Sequence, residues 1–247
     1  MFDHVGVAVS DRAASEQFYR TVMSALGFEP SHADATFVEW EDWALGETDA
    51  GHPVTRGLHV GFRASDRAQV DAFWQVGVDA GYRDDGAPGP RTQYGPSYYG
   101  GFLLDPDGNS VEAVHDGDDP PRVTEGYVDH LWIRVRDPQV SRRFYETVAP
   151  YAGLRLTYDE PDRVRFSGPD GSFSVVRDER PLTEHVHLAF PATEDATVRE
   201  FHAAAVAAGY EDHGGPGERP IYHPGYYGAF VLDPDGHNVE VVNHNRS

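Results

Sequence analysis

The first residues of the chain alternate between apolar positions and small or polar ones. Residues 4–9, HVGVAV, place a valine at every second position, which is the period of a half-buried β-strand. Residues 12–26, RAASEQFYRTVMSAL, follow as a helix, with Ser10 and Asp11 able to cap its start and Gly27 able to end it. The next apolar segments, TFVEW and WALGE, have the composition of strands. We therefore predict a strand, a helix and two strands, in that order.

The same succession begins again at residue 58. LHVGF predicts a strand, Ser65 can cap a helix over residues 66–80, and Gly81 can end that helix. Two more strands then flank a tight turn, Asp-Pro-Asp-Gly, at 105–108. The pattern of strand, helix and strands therefore occurs twice in the first half of the chain.

A long internal repeat is the strongest signal in the sequence. FLLDPDGNSVEAV at 102–114 returns as FVLDPDGHNVEVV at 230–242. The same shift of 128 positions relates Ala-Gly-Tyr at 80–82 to Ala-Gly-Tyr at 208–210. Self-similarity over such a span indicates that one structural unit occurs twice.

The repeat also sets the expected domain boundaries. Nearer the start of the chain the shift is 126 positions, so that His4 corresponds to His130. An acidic, proline-bearing segment separates the two copies and is typical of a linker. We predict homologous domains at residues 1–117 and 127–247, with residues 118–126 as the linker.

Composition and charge exclude several classes of partner. The 247 residues include 20 basic and 41 acidic side chains, a formal charge of −21 that disfavours nucleic acid and favours a cationic ligand. No run approaches the roughly 18 apolar residues of a membrane span, and no signal peptide is visible. Without cysteine there is neither a disulfide nor a thiolate metal site. We expect a soluble cytoplasmic protein with no nucleic-acid or membrane partner.

Three polar residues in each copy occupy strand positions where a buried sheet normally takes an aliphatic side chain. They are His4, His59 and Glu112 in the first copy and His130, His187 and Glu240 in the second. A single strand histidine is usually a hydrogen-bonded core residue, and a single strand glutamate usually faces solvent. Two imidazoles and a carboxylate recurring together favour a facial metal triad, because burying two such sets without a cation would be costly. Fe²⁺, Mn²⁺, Ni²⁺ or Zn²⁺ would suit these ligands and keep open positions for a substrate.

The motifs that carry these residues resemble those of a known superfamily. HVGVAVSD…FYRTVMSALGF, GLHVGFRA and LLDPDGNSVEAV, with their second-copy counterparts HLWIRVRD…FYETVAPYAGL, HVHLAF and VLDPDGHNVEVV, resemble the vicinal oxygen chelate superfamily. That superfamily includes glyoxalase I, fosfomycin-modifying enzymes, extradiol dioxygenases and bleomycin resistance proteins. The resemblance covers nearly the whole chain and implies an α+β fold of tandem paired βαβββ units, whose curved mixed sheets form cups.

The resemblance also implies where the metal ligands come from. They lie on the first strand of one unit and on the first and last strands of the other, which are the positions of the six residues above. In some relatives all ligands of a site belong to one domain, and in others the units exchange partners. The exchanged grouping would join His4 with His187 and Glu240, and His130 with His59 and Glu112. Both groupings remain open at this point.

Departures from the family pattern bear on the reaction. Glyoxalase I has a fourth ligand, a glutamate, where this chain has Ala44 and Ser174. Extradiol dioxygenases have a tyrosine ten residues before the final glutamate, where this chain has Phe102 and Phe230. Bleomycin-binding members lack the metal ligands, so the intact triads count against pure sequestration.

These observations favour a metal-dependent lyase, isomerase or dioxygenase that acts on a small oxygen-bearing metabolite. One alternative is a non-catalytic protein that binds a small molecule such as an antibiotic. A further alternative is that one of the two cups is inert. The sequence leaves open whether the chain forms a homodimer.

Four further residues are candidates for catalysis or substrate binding, namely Tyr98, Tyr226, His223 and Arg134. The first three lie in loops that lead into the Asp-Pro-Asp-Gly hairpins, where they could line the cup mouth or simply pack on the sheet. Arg134 could meet an anionic substrate or pair with a nearby acid. Strand alternation, applied within each copy, surrounds one triad with small residues only and the other with a set that includes two large ones. The small set is Gly6, Ala8 and Gly61, and the other set is Trp132, Arg134 and Ala189.

Overall fold

The computed structural model describes residues 1–49, 51–117 and 126–245, and over these residues the chain forms sixteen strands and four helices. The first eight strands are β1 His4–Val9, β2 His32–Ala33, β3 Phe37–Trp40, β4 Trp43–Glu47, β5 His59–Arg63, β6 Arg83–Pro90, β7 Tyr98–Leu104 and β8 Ser110–Asp116. The others are β9 Val128–Arg134, β10 Arg155–Glu160, β11 Arg163–Ser167, β12 Ser172–Val176, β13 His187–Pro191, β14 Glu211–Glu218, β15 Tyr227–Leu232 and β16 Asn238–Asn243. The helices are α1 Arg12–Ala25, α2 Arg67–Asp79, α3 Pro138–Val148 and α4 Asp195–Ala207, and none of these four is long and apolar enough to cross a membrane.

The chain divides into two compact units. One is Val7–Trp132, and the other joins Met1–Gly6 to Ile133–Ser247. Both divisions fall inside a strand, β1 in one case and β9 in the other. The domain boundaries drawn from the repeat therefore stay a prediction about the two copies. The predicted linker, 118–126, lies outside the described residues except for Gly126.

The unit Val7–Trp132 contains a run of hydrogen-bonded strands in the order β6-β7-β8-β5-β9. β5 pairs in parallel with β8, and the other pairs in this run are antiparallel. β2, β3 and β4 form a second, antiparallel run. α1 buries Phe18, Tyr19 and Val22, and α2 buries Val70 and Phe73, so both helices contribute their apolar faces to the core.

The unit Met1–Gly6 with Ile133–Ser247 repeats this architecture. Its strands follow the order β14-β15-β16-β13-β1, with β13 parallel to β16 and the other pairs antiparallel. β10, β11 and β12 form the second, antiparallel run. Mixed sheets with helices in two homologous halves confirm the predicted α+β fold class.

Most predicted elements form where the pattern placed them. Asp11 caps α1 by accepting a hydrogen bond from the amide of Ala14, and Gly27 follows the helix at φ 78°. α2 is capped by Asp66 rather than by the predicted Ser65. The carboxylate of Asp66 accepts from the amide of Gln69, three residues into the turn, which is the usual geometry for a cap.

The Asp-Pro-Asp-Gly turn is organised by its first aspartate. Oδ1 of Asp105 accepts the amides of Asp107 and Asn109, and Oδ2 accepts the hydroxyl of Tyr19 from α1. The turn is thereby fixed to the helix, and this fixes the start of β8. Asp233 and Tyr145 form the same link in the second copy, at 3.2 Å.

Candidate metal centres

The structure groups the six predicted ligands across the two copies. β5, β8 and β9 are neighbours in one run of strands, and together they bring His59, Glu112 and His130 to one point, which we call the His59 centre. Gly61 on β5 lies opposite both Glu112 and His130 in register. A Cβ at Gly61 would collide with the imidazole of His130, so glycine is what gives the ring its place.

The ligand atoms of the His59 centre lie at the separations that a bound ion requires. Nε2 of His59 is 3.1 Å from Oε2 of Glu112 and 3.2 Å from Nε2 of His130. The third separation, between His130 and Glu112, is 3.3 Å. An ion about 2.0–2.2 Å from each of three facial ligands holds them about 2.8–3.6 Å apart. All three side chains are buried, so the set is already arranged for one small cation.

Neighbouring side chains fix which ring nitrogen faces the centre. Nδ1 of His59 donates to Oγ of Ser110, whose own proton is given to Asp85 at 2.7 Å. Nδ1 of His130 donates to Asp129 at 3.0 Å. Both rings therefore present Nε2 to the centre, as metal-bound histidines do when a second group holds the other nitrogen.

The charges at the His59 centre also indicate that a cation belongs there. Burial would raise the pKa of Glu112, but the adjacent imidazoles of His130 and His59 outweigh it and lower that pKa to about 2. Burial would lower the pKa of His130, but Asp129 and Glu112 raise it to about 9. Without an ion, the buried carboxylate is thus balanced by a proton on His130. The space between the ligands needs a positive charge, and a divalent ion fits both the charge and the distances.

The second centre is built in the same way on β1, β13 and β16. Its ligands are His4, His187 and Glu240, and we call it the His4 centre. Nε2 of His187 lies 3.1 Å from both Nε2 of His4 and Oε2 of Glu240. The separation between His4 and Glu240 is longer, 3.8 Å, so a small movement of His4 would complete the set.

The surroundings of the His4 centre differ from those of the His59 centre. Asp3 accepts from Nδ1 of His4 at 2.8 Å, which matches the bond of Asp129 to its histidine. Nδ1 of His187, in contrast to that of His59, has no side-chain partner among the described residues. Burial lowers the pKa of His187 and the neighbouring His4 lowers it further, although Glu240 raises it. The ring of His187 is therefore held by fewer side chains than the ring of His59.

The predicted tyrosines both reach a centre. The hydroxyl of Tyr98 donates to Oε1 of Glu112 at 2.9 Å, and that of Tyr226 donates to Oε1 of Glu240 at 2.7 Å. Each bond leaves Oε2 of the glutamate to face the histidines. Burial raises the pKa of both phenols well above the usual value, and the adjacent carboxylate raises it further. Both tyrosines are therefore hydrogen-bond donors rather than bases.

The other two candidates lie one step further out. His223 is hydrogen-bonded to His244 at 2.7 Å, and His244 in turn donates to Asp3 at 2.8 Å. The guanidinium of Arg134 pairs with Asp178 at 3.0 Å, which is one of the two roles that the sequence allowed. A catalytic role for either residue stays a prediction.

Sequence reasoning missed the residues that orient the ligands. Asp3, Asp129, Ser110, Asp85 and His244 all hold a ligand histidine directly or through one neighbour. A signal was present for two of them, because an aspartate immediately precedes the first histidine in both copies.

The residues expected to lie beside each centre also change, because the sequence prediction assumed that all ligands of a centre come from one copy. Gly6 now lies opposite His187, and Trp132 lies opposite His59.

Solved structures share this architecture over nearly the whole chain. Glyoxalase I from Zea mays is 18% identical with a TM-score of 0.67, covering 98% of this chain and 92% of the other. Its V278E mutant gives 19% and 0.70 at the same coverage. A Bacillus subtilis subsp. subtilis str. 168 protein, provisionally named a dioxygenase, gives 13% and 0.65, covering 100% of this chain and 86% of the other. At these identities the likeness shows the fold.

Two sequence comparisons complete the assignment. No match was found among curated proteins. The family model described as the glyoxalase/bleomycin resistance protein/dioxygenase superfamily matches residues 1–113 and again residues 127–241. These two matches cover most of the sequence and coincide with the repeat. The chain therefore belongs to the glyoxalase/bleomycin resistance protein/dioxygenase superfamily.

Proposed function

We propose that the protein is a metal-dependent enzyme of this superfamily that acts on a small oxygen-bearing metabolite. The observation that carries the proposal is the convergence of two histidine nitrogens and one carboxylate oxygen, twice, in buried positions. At the His59 centre the three atoms lie 3.1–3.3 Å apart, and without a metal ion the proton on His130 is the positive charge between them. A divalent ion would satisfy all three atoms at once.

The ion would be Fe²⁺, Mn²⁺, Ni²⁺ or Zn²⁺, held by His59, Glu112 and His130 and by the equivalent set at the His4 centre. When bound, it would supply Lewis-acid polarisation of a substrate oxygen. The protein residues orient the ligands. Asp3 and Asp129 accept from Nδ1 of a histidine and so fix its tautomer, and Tyr98 and Tyr226 donate to one oxygen of a glutamate. Three protein ligands leave room for a substrate that binds through two adjacent oxygens.

The residues at the positions of family-specific groups narrow the reaction. Ala44 and Ser174 supply no fourth carboxylate, and Ser174 is buried with its hydroxyl accepting from Arg163 at 3.3 Å. This argues against the four-ligand site of glyoxalase I. Phe102 and Phe230 supply no phenol for an extradiol reaction. A lyase or isomerase reaction on a three-ligand centre is the reading that these residues support best.

The alternative function is non-catalytic binding of a cationic small molecule. The formal charge of −21 supports it, since a strongly acidic protein concentrates cations near its surface. Binding of this kind needs no metal. The two functions therefore make opposite predictions about purified protein.

Metal content tests the proposal directly. Purified protein is stripped with chelator, reloaded with each of the four ions and analysed by inductively coupled plasma mass spectrometry. We expect two equivalents in the unmodified chain and one in Glu112→Ala or in Glu240→Ala. Glu160→Ala, at an exposed strand glutamate, is the matched control and should keep two. Absence of bound metal under every loading condition would sink the proposal.

The same assay tests how the ligands are grouped. His4→Ala combined with Glu240→Ala removes two ligands of one centre, so the double variant should keep one equivalent. His4→Ala combined with Glu112→Ala damages both centres and should keep none. The opposite pair of results would mean that each centre draws its ligands from one copy.

A further inference from the structure

The two centres differ at the residue that lies opposite His59 in one centre and opposite His187 in the other. On β5, His59 lies opposite Trp132 of β9, whereas on β13 His187 lies opposite Gly6 of β1. Gly6 and Trp132 are equivalent residues of the repeat. One centre thus carries an indole where the other carries only a hydrogen atom.

Trp132 belongs to a row of aromatic rings that lies beside the His59 centre. Its ring meets that of His59 edge-on at 6.3 Å and that of Tyr94 at 5.6 Å. Tyr94 in turn contacts Tyr98 at 5.1 Å, and Tyr98 binds the ligand Glu112. Aromatic rings at these distances attract one another, so the row packs together next to His59 and Glu112.

The His4 centre has only part of this row. Tyr222 and Tyr226 correspond to Tyr94 and Tyr98, and their rings are 4.8 Å apart. No ring continues the row at Gly6, and Tyr222 is 62% exposed against 44% for Tyr94.

The exposure of the ligands follows this difference. The side chains of His4 and His187 are 20% and 23% exposed. Those of His59 and His130 are 11% and 10% exposed. The glutamates of both centres are equally buried, at 1%. Access therefore differs at the histidines, on the side where Gly6 or Trp132 lies.

We propose that the His4 centre is the one that receives the substrate, a small molecule that chelates through two oxygens, and that Trp132 and Tyr94 restrict access of such a molecule to the His59 centre. Gly6 and Trp132 are the residues that determine this difference. The inference rests on the metal-binding function proposed above, because a chelating substrate needs an ion at its site.

The two residues can be exchanged to test it. Co²⁺ serves as a visible probe of each centre alone, in Glu112→Ala protein for the His4 centre and in Glu240→Ala protein for the His59 centre. Acetohydroxamic acid, a small ligand with two adjacent oxygens, is titrated against the Co²⁺ absorption. We expect it to bind the His4 centre at least about tenfold more tightly than the His59 centre.

The variants should then reverse the order. Trp132→Gly opens the His59 centre and should raise its affinity for the hydroxamate to within about threefold of that of the His4 centre. Gly6→Trp should weaken hydroxamate binding at the His4 centre, with Co²⁺ still bound. Trp132→Ala serves where Trp132→Gly does not fold. Equal hydroxamate affinity at the two unmodified centres would overturn the inference while leaving the metal function intact.

A second readout needs no metal. Diethyl pyrocarbonate modifies accessible imidazole nitrogens, and mass spectrometry locates each adduct in the chelator-treated protein. We expect His187 to react faster than His59, and Trp132→Gly to accelerate the reaction of His59. If the protein binds no ion but shows this difference, the proposed function fails and the difference in access stands. If His59 were modified at the same rate in the unmodified protein and in Trp132→Gly, the inference would be overturned.

Discussion

The hydroxyl of Tyr226 donates a 2.7 Å hydrogen bond to Oε1 of Glu240, and this bond divides the carboxylate between two partners. The other oxygen, Oε2, lies 3.1 Å from Nε2 of His187. Tyr98 binds Glu112 in the same way in the other unit. Because both phenols have a raised pKa, these bonds persist over the physiological pH range. Each tyrosine therefore aims one glutamate oxygen at its centre.

Removing the Tyr226 hydroxyl should weaken the His4 centre without unfolding the protein. Tyr226→Phe keeps the buried ring but frees the carboxylate of Glu240 to rotate. Loss of such an orienting partner lowers metal affinity by about 10–100-fold, and we expect a loss of about tenfold here. Co²⁺ titration of Tyr226→Phe in Glu112→Ala protein measures it. Tyr227→Phe, at the next residue, is the control, and an unchanged affinity in Tyr226→Phe would contradict the proposed role of Tyr226 in orienting Glu240.

Gly100 is predicted to be essential for the His59 centre because of the space that Glu112 occupies. A Cβ at Gly100 would overlap Oε1 of Glu112, and a Cβ at Gly228 would lie 2.5 Å from Oε1 of Glu240. Gly100→Ala should therefore displace the carboxylate and lower the metal affinity of this centre by at least about tenfold. Gly46→Ala is the control, since nothing lies within 4 Å of a Cβ there.

Metal content after equilibrium dialysis, together with the melting temperature, distinguishes the outcomes for Gly100→Ala. We expect one of two equivalents to be lost with most of the thermal stability kept. A variant that binds two equivalents with unchanged affinity would show that Glu112 can move without loss of the site.

Local sequence patterns predicted the first strand and helix almost to the residue. Alternation over residues 4–9 and the cap at Asp11 are local properties, and β1 and α1 begin where they indicate. The candidate ligands are visible in the same way, because a polar side chain in a strand stands out once the repeat shows it twice. These signals depend only on neighbours along the chain.

The grouping of the ligands depends on contacts that no local pattern records. β5 has the same alternation whether its partner is β1 or β9, so the period cannot reveal that His59 meets His130 rather than His4.

The sequence pattern also did not predict β6 as a strand. Its sequence, RDDGAPGP, has the composition of a loop, and it is tolerated as a strand because β6 lies at the end of the run, where prolines need not donate to a neighbour.

The buried aspartate of the Asp-Pro-Asp-Gly turn should make stability depend on pH. Burial raises the pKa of Asp105 to about 6, although hydrogen bonds from Asn109 and Tyr19 oppose the shift. Asp105 therefore binds its proton more tightly in the folded chain than in the unfolded chain, where the pKa is 3.8. Its protonation stabilises the fold fully below pH 3.8, and this contribution is lost as the pH rises through about 6.

Asp105→Asn removes this dependence. Urea unfolding of chelator-treated protein at pH 4 and pH 7 should show the unmodified chain losing stability relative to Asp105→Asn, by on the order of 2–3 kcal/mol across that interval. The variant is less stable at pH 4, because its amide cannot accept every hydrogen bond that the carboxyl accepts. Asp233→Asn in the second copy should change in the same direction, since burial raises the pKa of Asp233 as well. A difference between variant and unmodified chain that is constant from pH 4 to pH 7 would mean that Asp105 titrates alike in both states.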